Sequence, residues 1–555
     1  MVDLVPGWKN YWATAMVEKF NHLISNKSDA KELILQLLDS IELGNSCVSL
    51  TDQHAQRLGK LVSTDVVKKA PFHFDGELLY LDQHFQLERE LASHVRRIID
   101  AKTPALDYSE FDHLLSDPHQ KKSLQVVFHN NLNLITGGPG TGKTYTLARI
   151  IASLNKVCSN PRIAMAAPTG KAAQRMQEAL YNAFTNESLI ENGLITDELK
   201  SIVPITIHRL LGIGLNGRST FGQNKKLPYD VVVIDEVSML DLKVAAQLFG
   251  SIQDGTRVIL LGDPNQLASV EVGSVLNDLK TSVLLKDSQV QLQKSIRFNS
   301  DAVIGQVAEY ILGQNNKSTI ELNDQTIVDT FKALMSGENA ELIFIKSNKT
   351  RDYLTDLCLG YTSYMDEISK YTMGQTDHDS LMNVFDQYRI LASTKHGDLG
   401  VKGINNFITN SIQQKFNLGG AEWYLGRPVM ITQNNYKLGL SNGDIGICVN
   451  HRKNKGEFEV YFQSSNKWVS TSRLPKSIQT AYAMTIHKSQ GSEFYKVAIV
   501  LDESEAALKV LSNELIYTGV TRGKKQLLLM CTELSLIKSV TGQTLRVSGL
   551  SKKLG

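Results

Sequence analysis

The sequence predicts an α/β fold: two successive series of parallel strands with covering helices, a small β-rich insert in the second series, and a helical region in front. Three observations predict it. Short apolar runs alternate with helical stretches from about residue 106 to 345. A glycine-rich turn ending in Lys143-Thr144 follows the first of those runs. A second strand–helix series begins at Arg389–Thr394 and resumes at Lys496–Asp502 and Gln526–Cys531. Strands alternating with helices are the pattern of a parallel sheet, whose active residues gather at the carboxyl ends of its strands.

At 555 residues the chain has room for about three to four domains. Residues 1–105 read as mostly helical, with Ile34, Leu37, Leu38 and Ile41 at helical spacing and Gly44 as a stop. No chemistry is legible there, which suits an accessory or partner-docking domain. Residues 106–345 form the first α/β domain, with buried strands at Leu132–Thr136, Ile163–Ala167, Val231–Ile234 and Val258–Leu261. Residues 346–386 look polar and irregular. The second α/β domain takes 346–555, and Gly426 to about Pro475 is a β-rich, barrel-like insert with turns such as Ser441-Asn442-Gly443-Asp444.

Composition sets bounds on partners and compartment. Hydrophobic residues make up 42% and charged residues 21%, ordinary for a globular chain, and the formal net charge is only +2. Any nucleic-acid site must then be a local basic channel rather than a basic surface. The cysteines 47, 158, 358, 448 and 531 are scattered without a C-x-x-C pair. That argues against zinc or an iron–sulfur cluster and suits five buried thiols in a reducing cytoplasm. The polar first 21 residues are unlike a secretory signal, and no run of about 18 apolar residues predicts a membrane span.

Gly137-Gly138-Pro139-Gly140-Thr141-Gly142-Lys143-Thr144 matches the G-x-x-x-x-G-K-[ST] phosphate loop in full, with a strand before it and a helical run, Tyr145–Ser153, after it. Its glycines let backbone N–H groups curl around phosphates at a helix N-terminus. Lys143 is expected at the β- and γ-phosphates of ATP, and the Thr144 hydroxyl on Mg²⁺. Val231–Ile234 ends in Asp235, a second Mg²⁺ ligand, and Glu236, which can polarise the attacking water. Gln266, in Gly262-Asp263-Pro264-Asn265-Gln266, can contact both γ-phosphate and water. Arg297 and Arg522 are the candidates for neutralising charge from the far side.

The order of these motifs resembles superfamily 1 DNA helicases, and within them the RecD family, the alpha subunits of exodeoxyribonuclease V (RecBCD). The stretches that carry the resemblance include Ala167-Pro168-Thr169-Gly170-Lys171, Thr206-Ile207-His208-Arg209, Asp235–Leu240, Gly262–Leu267, Gly426-Arg427-Pro428, Asn442-Gly443-Asp444, Ala481–Phe494 and Tyr517–Arg522. The resemblance implies two RecA-like P-loop NTPase domains with ATP between them and an SH3-like insert. It implies that Gln120 reads adenine, that Arg297 and Arg522 complete the site, and that Glu493 lies near the ribose or the interdomain linkage. It implies single-strand contacts from Thr169, Lys171, Thr206 and His208 in one domain and Thr485, His487 and Ser489 in the other. It further implies 5′→3′ travel on single-stranded DNA, entry at duplex ends, and a heterotrimer with RecB-like and RecC-like subunits serving break repair and DNA degradation. A stand-alone helicase of the same branch and a non-catalytic nucleotide-binding scaffold remain as alternatives.

Other signals are set aside. Asn26-Lys27-Ser28-Asp29 spells the guanine-reading tetrad of GTPases but precedes the phosphate loop, so it reads as a polar helix start. Asp241-Leu242-Lys243 and Asp278-Leu279-Lys280 have the D-x-K form of some nuclease sites but lack a further carboxylate to share a metal. The chain is therefore expected to stimulate a partner's nuclease rather than carry one.

Overall fold

The computed structural model describes residues 7–24, 26–65, 70–214, 217–294, 302–314, 324–346, 349–435, 437–454, 456–544 and 546–555. Among the described residues four sheets form. The first runs in the order Gln289–Gln291, Leu132–Thr136, Arg257–Gly262, Val231–Ile234, Ile163–Ala167, Ile205–Thr206, with every neighbour parallel. Its central strands are near-continuous apolar runs because both faces are covered. Thr136 pairs with Gly262, so the loops that follow these strands leave the sheet side by side. Helix Lys143–Val157 covers one face and helix Asp82–Asp100 the other. The latter helix comes from the segment assigned to the N-terminal region, but Leu91, Val95 and Ile98 bury against the first sheet's own core.

The second sheet has the order Ala340–Phe344, Gly523–Cys531, Phe494–Leu501, Tyr388–Ala392, Ala483–Thr485, again all parallel. This moves the boundary expected at residue 345. Ala340–Phe344 pairs with Gly523–Cys531, and Ile304, Val307, Ile311, Ile327 and Phe331 pack in the second core. The stretch read as irregular is instead three helices, Thr350–Leu359, Thr362–Thr372 and His378–Phe385. Tyr353, Leu354, Leu357, Tyr361, Tyr364, Met365 and Ile368 form their buried stripe. Tyrosines in a polar sequence hid the period: the Tyr361 hydroxyl donates to Tyr482 O and the Tyr364 hydroxyl to Gly426 O, so both ends of each ring are satisfied.

The insert is a five-stranded antiparallel sheet in the order Lys467–Ser470, Phe458–Phe462, Ile445–Asn450, Pro428–Ile431, Ile478–Thr480. Its last strand lies beyond the end expected near 475. Val429, Ile431, Cys448, Val460 and Phe462 form a separate small core.

The N-terminal region has the helices Trp8–Lys19 and Lys27–Glu42, the second capped by Asn26, whose side chain accepts from Ser28 N and Asp29 N. Leu33, Ile34, Leu37 and Leu38 are buried, and Gly44 takes a left-handed φ of 88° just past the helix end. A sheet accompanies these helices, ordered Cys47–Ser49, Leu78–Leu81, Phe72–Phe74, Val62–Ser63; its two- to four-residue strands are too short for an alternating pattern to register. Cys47, Cys358, Cys448 and Cys531 are buried, but Cys158 is exposed, because it is the C-cap residue just past helix Lys143–Val157. No helix among the described residues is long and apolar enough to cross a membrane.

Glu88 is fully buried on helix Asp82–Asp100 and accepts from Ser46 Oγ at 2.5 Å, Ser548 Oγ at 3.0 Å, Gly549 N at 3.2 Å and Lys553 Nζ at 2.8 Å. Removing one member of such a pair strands the other charge. Glu88→Ala is expected to destabilise this region by about 3–5 kcal/mol, measured as an earlier urea transition; an unchanged midpoint would refute the assignment.

Candidate active site

The phosphate loop leaves the fully buried strand Leu132–Thr136 and turns back at Gly137, whose N–H donates to Gly262 O at 3.1 Å. Gly140 and Gly142 have φ of 76° and 83°, conformations that a side chain resists. A Cβ on Gly142 would also lie 2.8 Å from Gln120 Nε2, which puts Gln120 directly against the loop. Lys143 opens the following helix, and its Nζ donates to Gly137 O at 2.6 Å and Gly138 O at 3.1 Å.

The loop lines a cavity of about 440 Å³ between the two α/β domains. Pro139, Gly140, Gly142, Lys143, Thr144, Asp235, Glu236 and Gln266 line it from the first domain, and Gly491, Glu493 and Arg522 from the second. Gln120, Gly137, Gly138 and Thr141 stand behind this lining. Thr141 Oγ1 donates to Gly138 O at 2.8 Å and holds the loop in its curl. Arg297 lies outside the described residues.

The carboxylates are tuned by burial. Asp235 is pushed up to about 6, first by burial and then by the neighbouring Glu236, with Lys143 opposing. Glu236 has a left-handed φ of 53°, and its N–H donates to Asp235 Oδ1 at 2.8 Å. A non-glycine residue held there stores about 1–3 kcal/mol, a cost common at functional sites. The Thr144 hydroxyl and Asp235 share the cavity wall. One hydroxyl and one carboxylate suit Mg²⁺, which keeps most of its waters and adds phosphate oxygens.

Across the cleft the contacts are direct. Arg522 is 2% exposed; its Nη2 donates to Gln266 Oε1 at 2.7 Å, its Nη1 to Ser492 O and its Nε to Thr518 O, both at 3.1 Å. Gln266 Nε2 donates to Asp263 Oδ2 at 3.0 Å, and the Tyr517 hydroxyl reaches the same oxygen at 3.1 Å. Burial raises the Asp263 carboxyl, and Lys143 opposes the rise. Glu493 Oε1 pairs with Arg175 Nη2 at 2.5 Å. Sequence reasoning overlooked Arg175, Asp263 and Tyr517. Arg175 stands one helical turn after Lys171, so spacing alone could have flagged it; Tyr517 is five residues before Arg522 and carries no such signal.

The expected DNA contacts divide into groups. Thr169 caps helix Gly170–Phe184 by accepting from Ala172 N, and Thr206 caps Ile207–Leu210 by accepting from Arg209 N. Each hydroxyl proton remains able to donate. Lys171 is pushed down to about 8 by burial; Arg389 and Arg175 add to the fall, and Asp386 and Asp444 oppose it. It faces the second domain and the insert, where a Cβ on Gly170 would lie 3.0 Å from the Ser441 side chain. His208 lines a separate cavity with Asp241 and Glu271. Thr485 lines a cavity of about 170 Å³ with Lys395, Lys402 and Lys488, and no carboxylate lines it among the described residues. The three lysines give this cavity a local positive lining within a chain of small net charge. Ser489 is buried and donates to Ile486 O at 2.6 Å, so its hydroxyl is committed to the fold.

Similarity to known proteins covers most of the chain. Residues 120–272 match the AAA domain family, 404–462 the SH3 domain of ATP-dependent RecD-like DNA helicases, and 480–530 the UvrD-like helicase C-terminal domain. The RecBCD enzyme subunit RecD of Haemophilus influenzae is 32% identical over 534 residues, covering 87% of this chain and 81% of that protein. The RecD subunit of Mycolicibacterium smegmatis is 33% identical, covering 86% and 82%. A Bacteroides Pif1 helicase in complex with ADP-AlF3 and ssDNA aligns with a TM-score of 0.41 at 18% identity, over 75% of this chain and 92% of that one.

His487 supplies a pH test. Burial, with Arg546 and Lys395 adding, pushes it down to about 4 from an ordinary 6.5. Between those values the unfolded chain binds more protons, so this contribution to stability is present above about 6.5 and is lost as pH falls toward 4. His487→Asn is expected to flatten the pH dependence of unfolding in that window by up to about 1.4 kcal/mol per pH unit. An unaltered slope in denaturation curves from pH 4 to 6.5 would show that this ring is not the source.

Proposed function

The chain belongs to the RecD family and is an ATP-dependent DNA helicase; beyond that, we propose that it travels 5′→3′ on single-stranded DNA as one subunit of a cytoplasmic heterotrimer with RecB-like and RecC-like partners. The observation that carries the motor reading is the Arg522–Gln266 bond of 2.7 Å across the cleft. A hydrolysis site whose sensor and arginine come from opposite domains ties domain closure to the state of the γ-phosphate.

In this reading the phosphate loop from Gly137 to Thr144 cradles the phosphates, Lys143 reaches the β- and γ-oxygens, and Gln120 holds the base. Thr144 and Asp235 would hold Mg²⁺, which supplies charge neutralisation when bound. Glu236 orients the water, and Gln266 lies between that water and Arg522. Arg297 is the second proposed arginine, on its sequence position alone. Glu493, through Arg175, holds the second domain to the helix that leaves Thr169. Thr169, Lys171, Thr206, His208, Thr485 and His487 are proposed to line the strand's path, with Lys395, Lys402 and Lys488 contacting phosphates without reading sequence. Stimulation of a partner's nuclease, in break repair and DNA degradation, completes the proposal.

Lys143→Gln is expected to abolish single-strand-stimulated ATP turnover; a wild-type rate would end the motor reading. Arg522→Ala is expected to bind nucleotide as before and turn it over about 10³-fold more slowly; undiminished turnover would mean the wrong arginine is assigned. Unwinding of 5′-tailed but not 3′-tailed duplexes tests direction, and co-purification of two large partners from native lysate tests the complex.

A further inference from the structure

The loop after Gln266 runs from the nucleotide cleft to the N-terminal region and is held at both ends. At the cleft end, Leu267 N donates to Thr518 Oγ1 at 2.9 Å and Leu267 O accepts from Gln490 Nε2 at 2.7 Å, both from the second domain. At the far end Gly273 N donates to Gly44 O at 2.9 Å. Between these anchors the loop has no helix or strand, and three of its carbonyls converge on one cation. Arg546 Nη2 donates to Ser269 O at 2.5 Å, and its Nη1 donates to Gly273 O at 2.7 Å and Glu271 O at 3.1 Å.

Arg546 reaches the loop from a chain segment that leaves the second domain. Just before it, Thr544 N donates to Glu514 Oε2 at 3.2 Å, within the second domain. Just after it, Val547 N donates to Asn45 Oδ1 at 2.8 Å and Ser46 N donates to Val547 O at 3.1 Å, in the N-terminal region. The guanidinium lies flat on Gly44, where a Cβ would be 2.5 Å from Cζ. One side chain therefore meets the second domain's tail, the first domain's sensor loop and the N-terminal region. Converging carbonyl dipoles repel one another unless donors sit among them; the Ser269 hydroxyl donates to Glu271 O at 2.8 Å and Gly273 O at 3.4 Å, and the planar guanidinium serves all three carbonyls at once.

We propose that Arg546 is a positioning residue for ATP turnover, fixing the 269–273 loop so that Gln266 keeps its register with Arg522. This rests on the motor reading above. It adds that the N-terminal region and the terminal tail set the sensor's geometry, although neither touches the nucleotide cavity. Slack in the loop would leave Lys143, Thr144 and Asp235 in place, so nucleotide would bind normally. Gln266 would lose its fixed distance from Arg522, and the penalty would fall on the chemical step.

The experiment uses the full chain with ATP and oligo-dT, in the Arg546→Met and Arg546→Lys variants. Arg546→Met keeps most of the apolar stem and removes the guanidinium donors, leaving the Ser269 hydroxyl as a donor to Glu271 O and Gly273 O but none to Ser269 O. It is expected to lower single-strand-saturated kcat about 10- to 100-fold with KM for ATP held within about twofold. Amide exchange across Leu267–Gly273 should quicken about tenfold or more while Val231–Ile234 stays protected. Arg546→Lys, with one donor group in place of the fork, should recover part of the rate. An unchanged kcat in Arg546→Met overturns the proposal, and so does a fall accompanied by equal loss of protection in the central strands, which would mean general unfolding. If the wild-type chain shows no oligo-dT-dependent turnover, the motor reading fails, and the exchange measurement alone still decides whether Arg546 orders the loop.

Discussion

A buried guanidinium must find acceptors, and at Arg522 that requirement holds the two halves of the molecule in register. Two of its acceptors, Thr518 O and Ser492 O, are in its own domain; the third, Gln266 Oε1, is in the other. An unmatched buried charge costs several kcal/mol. The amide of Gln266 is thereby polarised in one sense, with oxygen toward Arg522 and nitrogen toward Asp263. Asp263 in turn takes the Tyr517 hydroxyl back across the cleft. A chain of polar groups from Arg522 through Gln266 and Asp263 to Tyr517 thus crosses the cleft twice, and such networks specify geometry more than they add stability.

The remaining architecture positions that chain of bonds. The parallel sheets deliver the phosphate loop, Asp235-Glu236 and Asp263–Gln266 to one edge because the strands before them are in register. The insert presses Ser441 against Gly170, so Lys171 meets Asp386 of the second domain and Asp444 of the insert at one junction. Helix Asp82–Asp100 joins the N-terminal region to the first sheet's core, and Glu88 on that helix anchors the tail that follows Arg546. Motion between the α/β domains therefore has to be accommodated by both the insert and the tail.

Legibility followed the range of the interactions. Val231–Ile234 and Leu132–Thr136 could be read directly because a central parallel strand is apolar on both faces and its boundary is marked by the polar or glycine-rich motif that follows it. The helices from Thr350 to Phe385 escaped because their buried stripe is built partly from tyrosines whose hydroxyls are satisfied only by distant carbonyls. The boundary near residue 345 was misplaced because Ala340–Phe344 is a half-buried edge strand, and its allegiance depends on a partner almost two hundred residues away.

By itself the sequence determined the phosphate-loop motif, the acidic pair, the candidates Gln266 and Arg522, and the family. Each is a short run whose residue types answer a local chemical need. The tertiary structure alone decided that Arg522 meets Gln266, that Asp263 accepts from both Gln266 and Tyr517, that Arg175 holds Glu493, and that Arg546 gathers the carbonyls of the 269–273 loop. Those pairings join groups far apart in the chain, and they follow from burial, which obliges each charge or amide to find whichever partner the packed sheets bring within reach.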